Sequence, residues 1–376
     1  EETLNKLQQT SDYRFSIMSD TTPVNYNNAG MIKNGNVYVL SYKDKDAKDA
    51  AMSSYKDHGY KVFDDNTVDS LSSENVEVKS EATKESPIDN AVTDNPQKEQ
   101  SLVEKITDDK TVTVAVIDSG IDGTDEAFKD RLSDKTEDSD KADENGHGTL
   151  VSKIILADAD TYTKILPIKA FDKDGNASAI NVYFAIERAI EAKVDIINLS
   201  AVGAGENDLI KKAVDDAEKA KIPIVVAAGN YSADVSSYFP SCYDYPYVIA
   251  STTDNTTVSS DSDYGDKVDF VVNGSAEDKD NVYSGTSFSA ARFSGYLTNI
   301  VSYDRDNKIS DIKFVDDKTV TKEIGLDMSQ TYIYLDKEQI KKMTQQSSDK
   351  TASDITVSDT KNKEDQTSKT PKDTTP

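Results

Sequence analysis

Three runs of β-branched and aliphatic residues constrain this chain more than anything else in it: TVTVAVIDSG at 111–120, VDIINLS at 194–200 and IPIVVAAGN at 222–230. Each is apolar over most of its length, as expected of a strand buried in a parallel sheet. Between them, SAINVYFAIERAIEAK at 178–193 and ENDLIKKAVDDAEKAK at 206–221 follow a helical period. Strand and helix alternate at lengths that suit crossover connections. The expected fold class is therefore α/β, a doubly wound and mostly parallel sheet. Reactive groups in such folds gather at the carboxyl ends of the strands.

The 376 residues exceed what that sheet needs, and their texture divides them. Residues 1–80 hold a small α/β unit. In it Val37, Val39 and Leu40 read as a strand, residues 45–57 as a helix stopped by Gly59, and YKVF as a second strand, a βαβ-type arrangement. Residues 81–105 are expected to be an exposed linker, within a stretch rich in Ser, Glu, Asn and Pro that starts near Leu71. Residues 106–340 form the main domain; near its end TYIYLDKEQIKKM reads as a strand and a short helix. Residues 341–376 carry almost nothing apolar beside Ser, Thr, Lys and Asp, and are expected to be a disordered tail.

Composition excludes several functions. A formal charge of −26 argues against nucleic acid or an anionic membrane surface as partner. The single cysteine, Cys242, allows neither an internal disulfide nor a zinc site built on cysteines. No apolar run is long enough to span a bilayer, and EETLNKLQQT lacks a signal-peptide core, so a leader was either removed before this numbering or never present.

Four polar residues stand where chemistry could occur, and each also has a plain structural reading. Asp118 ends the first strand, where it could orient an imidazole or cap a turn. His147, in NGHGTLVS, sits near the start of a buried helix. The other histidine, His58, ends the N-terminal helix, where the helix dipole favours it, so His147 is the candidate base. Asn230 closes IPIVVAAGN, as an oxyanion donor or a turn residue. Ser287, in SGTSFSAA, lies at a helix N-terminus as a nucleophile or a cap. A serine hydroxyl is a poor nucleophile unless a base, an orienting group and oxyanion donors assist it.

Taken together, the words DSGI, NGHGTLVS, DKDGNASAINVYFAIERAI, VDIINLS, PIVVAAGN, YPYVIAS and SGTSFSAA, with Asp, His and Ser in that order, resemble the subtilisin-like serine protease (subtilase) family over residues 112–300. The resemblance implies that Asp118 orients His147, that His147 takes the proton of Ser287, and that Asn230 and the Ser287 N–H hold the oxyanion. It implies a polypeptide substrate clamped in extended form between Gly175, Asn176, Ala177 and Ser200, Ala201, Val202. Ala227, Ala228 and Gly229 would line the main specificity pocket. It further implies that the N-terminal unit is a propeptide, an intramolecular inhibitor of a self-processing zymogen. The expected location is extracellular or on a cell surface, bacterial and Gram-positive, from the tail's similarity to wall-spanning segments.

This sequence departs from the family pattern in places. Phe288 replaces the usual methionine, Ala291 a common proline, and Val202 a usual glycine near the pocket wall. The segment after His147 has no insertion for the common tight calcium loop, so no cofactor and no metal at that place are expected; calcium elsewhere stays open. The stretch from Asp122 to Glu144 holds ten carboxylates against four basic residues, either as a solvated loop or to draw a basic substrate or cation to the cleft rim. Two alternatives compete with general proteolysis: a maturation protease that trims the leader of one peptide, and a catalytically silent surface binding module.

Overall fold

A computed structural model of the chain describes residues 13–26, 29–71, 111–253, 258–278, 281–303 and 332–333. The linker 81–105 and the tail 341–376 lie outside the described residues, as does most of the stretch read as strand and helix around residue 332.

The N-terminal unit comprises β1 Arg14–Met18, β2 Gly30–Asn34, β3 Val37–Ser41, helix α1 Lys45–Asp57 and β4 Lys61–Asp64. Asp44 caps α1 through its side chain, and the chain leaves the helix at His58 and a left-handed Gly59. The sheet order is β2-β3-β1-β4, so the strand–helix–strand unit is split: β1 lies between β3 and β4, antiparallel to both. The strands RFSIM and GMIKN are additions to the βαβ reading. Phe15, Ile17, Leu40 and Tyr55 fill a separate small core under α1.

Strand β5 Thr67–Asp69 closes the N-terminal segment, and the main domain follows with β6 Thr113–Asp118, α2 His147–Asp158, β7 Lys164–Lys169, β8 Asn176–Ser178, α3 Ala179–Glu191 and β9 Ile196–Leu199. Next come β10 Gly203–Ala204, α4 Asp208–Ala220, β11 Ile224–Ala227, β12 Tyr238–Phe239, β13 Tyr247–Thr252, β14 Phe270–Asn273, β15 Ser275–Asp278, β16 Asn281–Ser284, α5 Thr286–Tyr303 and β17 Tyr332–Ile333. The large sheet runs β17-β14-β13-β11-β9-β6-β7; all its pairs are parallel except the antiparallel edge β14–β17. It is thus the doubly wound, mostly parallel α/β sheet expected.

Two apolar clusters cover its faces. One packs α3 and α4 with Ile117, Leu166 and Ile197; the other packs α2 and α5 with Val114, Val116 and Val225. Val116 and Ile117 belong to opposite clusters, as the period of two along a strand demands. The order β11-β9-β6 sets the carboxyl ends of three buried strands side by side, and Asp118 and Ser200 leave the sheet there.

Candidate active site

Asp118, the last residue of β6, is 1% exposed, and His147, the first of α2, is 6% exposed. The imidazole Nδ1 lies 2.9 and 3.0 Å from the two Asp118 carboxylate oxygens. With Nδ1–H donating there, Nε2 is the basic nitrogen and faces away from the carboxylate. Helix and strand come this close because residue 148 is glycine: a Cβ would run into the Gly120 carbonyl and stand 3.0 Å from Asp118 Cβ. Burial opposes charge on the imidazole, but Asp118, by its charge and hydrogen bond, and Asp143 outweigh it and raise the pKa above the ordinary 6.5.

Asp143 anchors the entry to α2. Its carboxylate accepts hydrogen bonds from Ser119 Oγ, the N–H groups of Asn145, Gly146 and Thr149, and the Thr149 hydroxyl. Ser119 Oγ in turn accepts from the Gly148 N–H at 3.0 Å. Burial would lift the Asp143 pKa, and the bonds from Thr149, Gly146 and Ser119 hold it below the usual carboxylate value. Further back in the acidic stretch, Asp140 is buried and pairs with Arg188 at 2.6 Å. These two carboxylates are structural; others there, such as Asp138 and Glu144, lie open to solvent.

Ser287 is the second residue of α5, inside the first turn rather than at the cap. Its N–H is one of the helix-start donors with no carbonyl a turn back to bind. Asn230 stands just beyond β11. The Thr286 N–H and hydroxyl both donate to Asn230 Oδ1, at 3.0 and 2.9 Å. That pair fixes the amide orientation and turns Nδ2 toward Gly285, which lies before the serine. The Ser287 hydroxyl and His147 Nε2 are buried, and neither bonds to a described residue. Such bonds are often formed only when substrate is bound.

Beneath the serine runs a buried polar chain: Ser294 Oγ donates to Asn198 Oδ1, Asn198 Nδ2 donates to Ser200 Oγ, and Ser200 Oγ donates to the Ser287 carbonyl. Phe288 packs beside the imidazole, with ring centroids 5.9 Å apart. Gly229 has φ of 125°, and Asp263 packs directly beneath its Cα. Asp263 Oδ1 accepts the N–H groups of Tyr231 and Ala233, both at 2.8 Å, while Oδ2 has no partner among the described residues. Burial pushes this carboxyl up to about 6, against those two bonds and with help from Asp234 and Asp261.

The two edge segments expected to clamp a substrate already hold a strand of this chain. Strand β5 pairs antiparallel with β8, Val68 opposite Ala177 and Asp69 opposite Asn176. On its other side Asp69 exchanges two backbone hydrogen bonds with Val202, at 2.9 and 3.0 Å, and the Ser70 N–H donates to the Gly175 carbonyl at 2.8 Å. Ala201, Ala227 and Ala228 are fully buried, and Gly229 donates its N–H to Thr286 Oγ1. Leu71 is buried at φ 51°, a left-handed conformation that costs a side-chain-bearing residue roughly 1–2 kcal/mol.

Thr286, Asn198, Ser294 and strand β5 carry no mark in the sequence as parts of this site; Ser200 is expected there only as a substrate edge, and Asp143 only as one carboxylate of the acidic stretch. Thr286 stands inside the GTS word and Asp143 four residues before His147; their neighbours were the only hint. Among the described residues no three His, Cys, Asp or Glu side chains cluster as a metal would require.

Comparison with known proteins is consistent with this geometry. A model of the family described as "Subtilase family" matches residues 109–361. The chain is 29% identical over 170 residues to the Minor extracellular protease Epr of Bacillus subtilis (strain 168), covering 43% of this chain and 26% of that protein. It is 33% identical over 177 residues to Subtilisin-like protease 4 of Trichophyton equinum, covering 44% of each. The chain therefore spans less than half the length of these curated relatives. Among solved structures, a cold adapted subtilisin-like serine proteinase is similar with a TM-score of 0.46 and 25% identity, over 52% of this chain and 76% of the other. A lanthipeptide protease is similar with a TM-score of 0.47 and 20% identity, over 52% and 74%.

Proposed function

The chain belongs to the subtilase family, and from that premise we propose that it is a serine endopeptidase acting through an acyl-enzyme on Ser287. The observation that carries this reading is the buried His147 imidazole, held on Nδ1 by Asp118, with Nε2 and the Ser287 hydroxyl both unpartnered among the described residues. Nε2 takes the hydroxyl proton as Ser287 Oγ adds to the substrate carbonyl, and Asp118 stabilises the imidazolium that forms. Asn230 Nδ2 and the Ser287 N–H receive the oxyanion. His147 then protonates the leaving amine; water, activated by the same imidazole, releases the acid.

The substrate is a polypeptide bound in extended form against Gly175–Ala177 and Ser200–Val202, with Ala227, Ala228 and Gly229 along the main pocket. The N-terminal unit acts as an intramolecular inhibitor of a zymogen, a reading supported by β5 lying between those two edges. We place the enzyme outside the cell, since the Bacillus relative is described as an extracellular protease.

Replacement of the oxyanion amide tests the reading. Asn230→Ala should lower turnover on a protein substrate about 10²–10³-fold, the loss known for such an amide in this family, with KM little changed. Unaltered turnover would remove Asn230 from the reaction.

A further inference from the structure

We propose that the enzyme cuts its own chain after Leu71 and selects substrates with leucine before the scissile bond and a branched aliphatic residue three positions upstream. The inference rests on the acyl-transfer reading above and adds to it the bond that is cut and the side chains that are read.

The register of β5 carries the argument. Asp69 lies directly opposite Val202, held by a bond in each direction. Strands in that pairing advance residue for residue, so the same pairing continued two positions further would set Leu71 opposite Ser200. Ser200 is the residue whose hydroxyl contacts the Ser287 carbonyl, at 3.3 Å. Leu71 is the last described residue of that segment, one beyond the end of the ladder at Ser70. The side chains alternate accordingly. Val68 is 1% exposed, in the apolar cluster with Ala177, and Leu71 is 7% exposed, in the cluster with Val202, Ala227 and Phe288. Asp69, between them, points to the rim, where the Tyr231 hydroxyl donates to its carboxylate at 3.3 Å and stacks its ring on Tyr238. The pocket floor near Leu71 is thus apolar, and its occupant is apolar.

Leu71 also explains why the bond waits. The ladder stops at Ser70, and the left-handed φ of 51° turns Leu71 off the strand path. Rotation into the extended region would set its N–H opposite the Ser200 carbonyl and its own carbonyl toward Ser287, and would relieve the strained backbone. Cleavage then follows: Ser287 Oγ bonds to the Leu71 carbonyl carbon, the bond to the Ser72 nitrogen breaks, and the Ser287 proton passes through His147 to that amine. Water supplies the second step and leaves a Leu71 carboxylate.

The experiment has two parts on the full chain. Incubated protein and its Ser287→Ala variant are compared by intact mass and N-terminal sequencing. The mature chain should begin at Ser72, and the variant should keep its N-terminus. The mature enzyme is then given chromogenic peptides ending Val-Asp-Ser-Leu, Val-Asp-Ser-Lys and Lys-Asp-Ser-Leu; the first should exceed each of the others at least tenfold in kcat/KM. Labelling of Ser287 by a fluorophosphonate on the same samples separates the two ideas. A labelled enzyme that begins elsewhere, or that prefers the lysine peptides, overturns this inference and leaves the endopeptidase reading standing. Absence of both labelling and hydrolysis after the N-terminal unit is removed overturns the endopeptidase reading and, with it, this one.

Discussion

Asp143 holds the start of α2 that carries the imidazole, although its bonds go to other residues. It fixes Ser119, Gly146 and Thr149, the residues around the start of α2, and its negative charge adds to that of Asp118 in raising the His147 pKa. General-base catalysis requires neutral histidine, so activity should rise with pH through a midpoint above 6.5. Asp143→Asn removes charge that favours the imidazolium, so the midpoint of the kcat/KM profile should move to lower pH. A profile that stays put would confine Asp143 to structure. Asp263 gives a second prediction, of the opposite kind. Its carboxyl is neutral in the folded protein up to about pH 6 but ionised in the unfolded chain above its ordinary value of 3.8. The native state therefore binds more protons in that window, and stability contributed by this group falls as pH rises from about 4 to about 6. Asp263→Asn should flatten that slope and gain up to about 3 kcal/mol at pH 8 relative to the parent, measured by urea unfolding at several pH values. An unchanged slope would contradict the assignment.

Strand β5 is held by more than its ladder. Asp65, just before it, accepts the Ile180 N–H at the start of α3, and the Arg14 guanidinium bonds Asp65, Ser178 and Asn181. A carboxylate there complements the helix dipole, and the ion pair is buried, with side chains 9% and 7% exposed. Removing one partner of such a pair costs about 3–5 kcal/mol. In the uncleaved Ser287→Ala protein, Asp65→Ala should therefore speed amide exchange at Asp69 and Ser70 by about 10²-fold or more. Exchange at the parent rate would mean that β5 stands without this anchor. Element scale is also where legibility changes. VDIINLS and IPIVVAAGN read directly as buried strands because their own composition forbids solvent, and α1, α3 and α4 because their periods and caps are local. RFSIM, GMIKN and NTVDSL carry no such mark. They are strands through their partners: β3 for the first two, and β8 and Val202 for the third.

At the scale of the molecule, the sheet order brings together residues scattered from 118 to 287, and only the order of motif words announced that they would meet. The words point to Asp118, His147, Asn230 and Ser287 as candidates. They could not locate Thr286 or the Asn198–Ser200–Ser294 chain as supports, because a buried polar network has no signature until its packing is known. Among the described residues, Asp118, Asp140 and Asp263 are buried carboxylates with hydrogen-bond partners. Strand β5 lies between the two edges expected to hold a substrate, so an assay must separate a covered site from an absent one. The most direct measurement is intact mass after a fluorophosphonate probe, on the chain freed of its N-terminal unit and on Ser287→Ala treated alike. The account predicts a single adduct on the parent, mapped to Ser287, and none on the variant. No adduct on the freed parent, or an equal adduct on both, would contradict it.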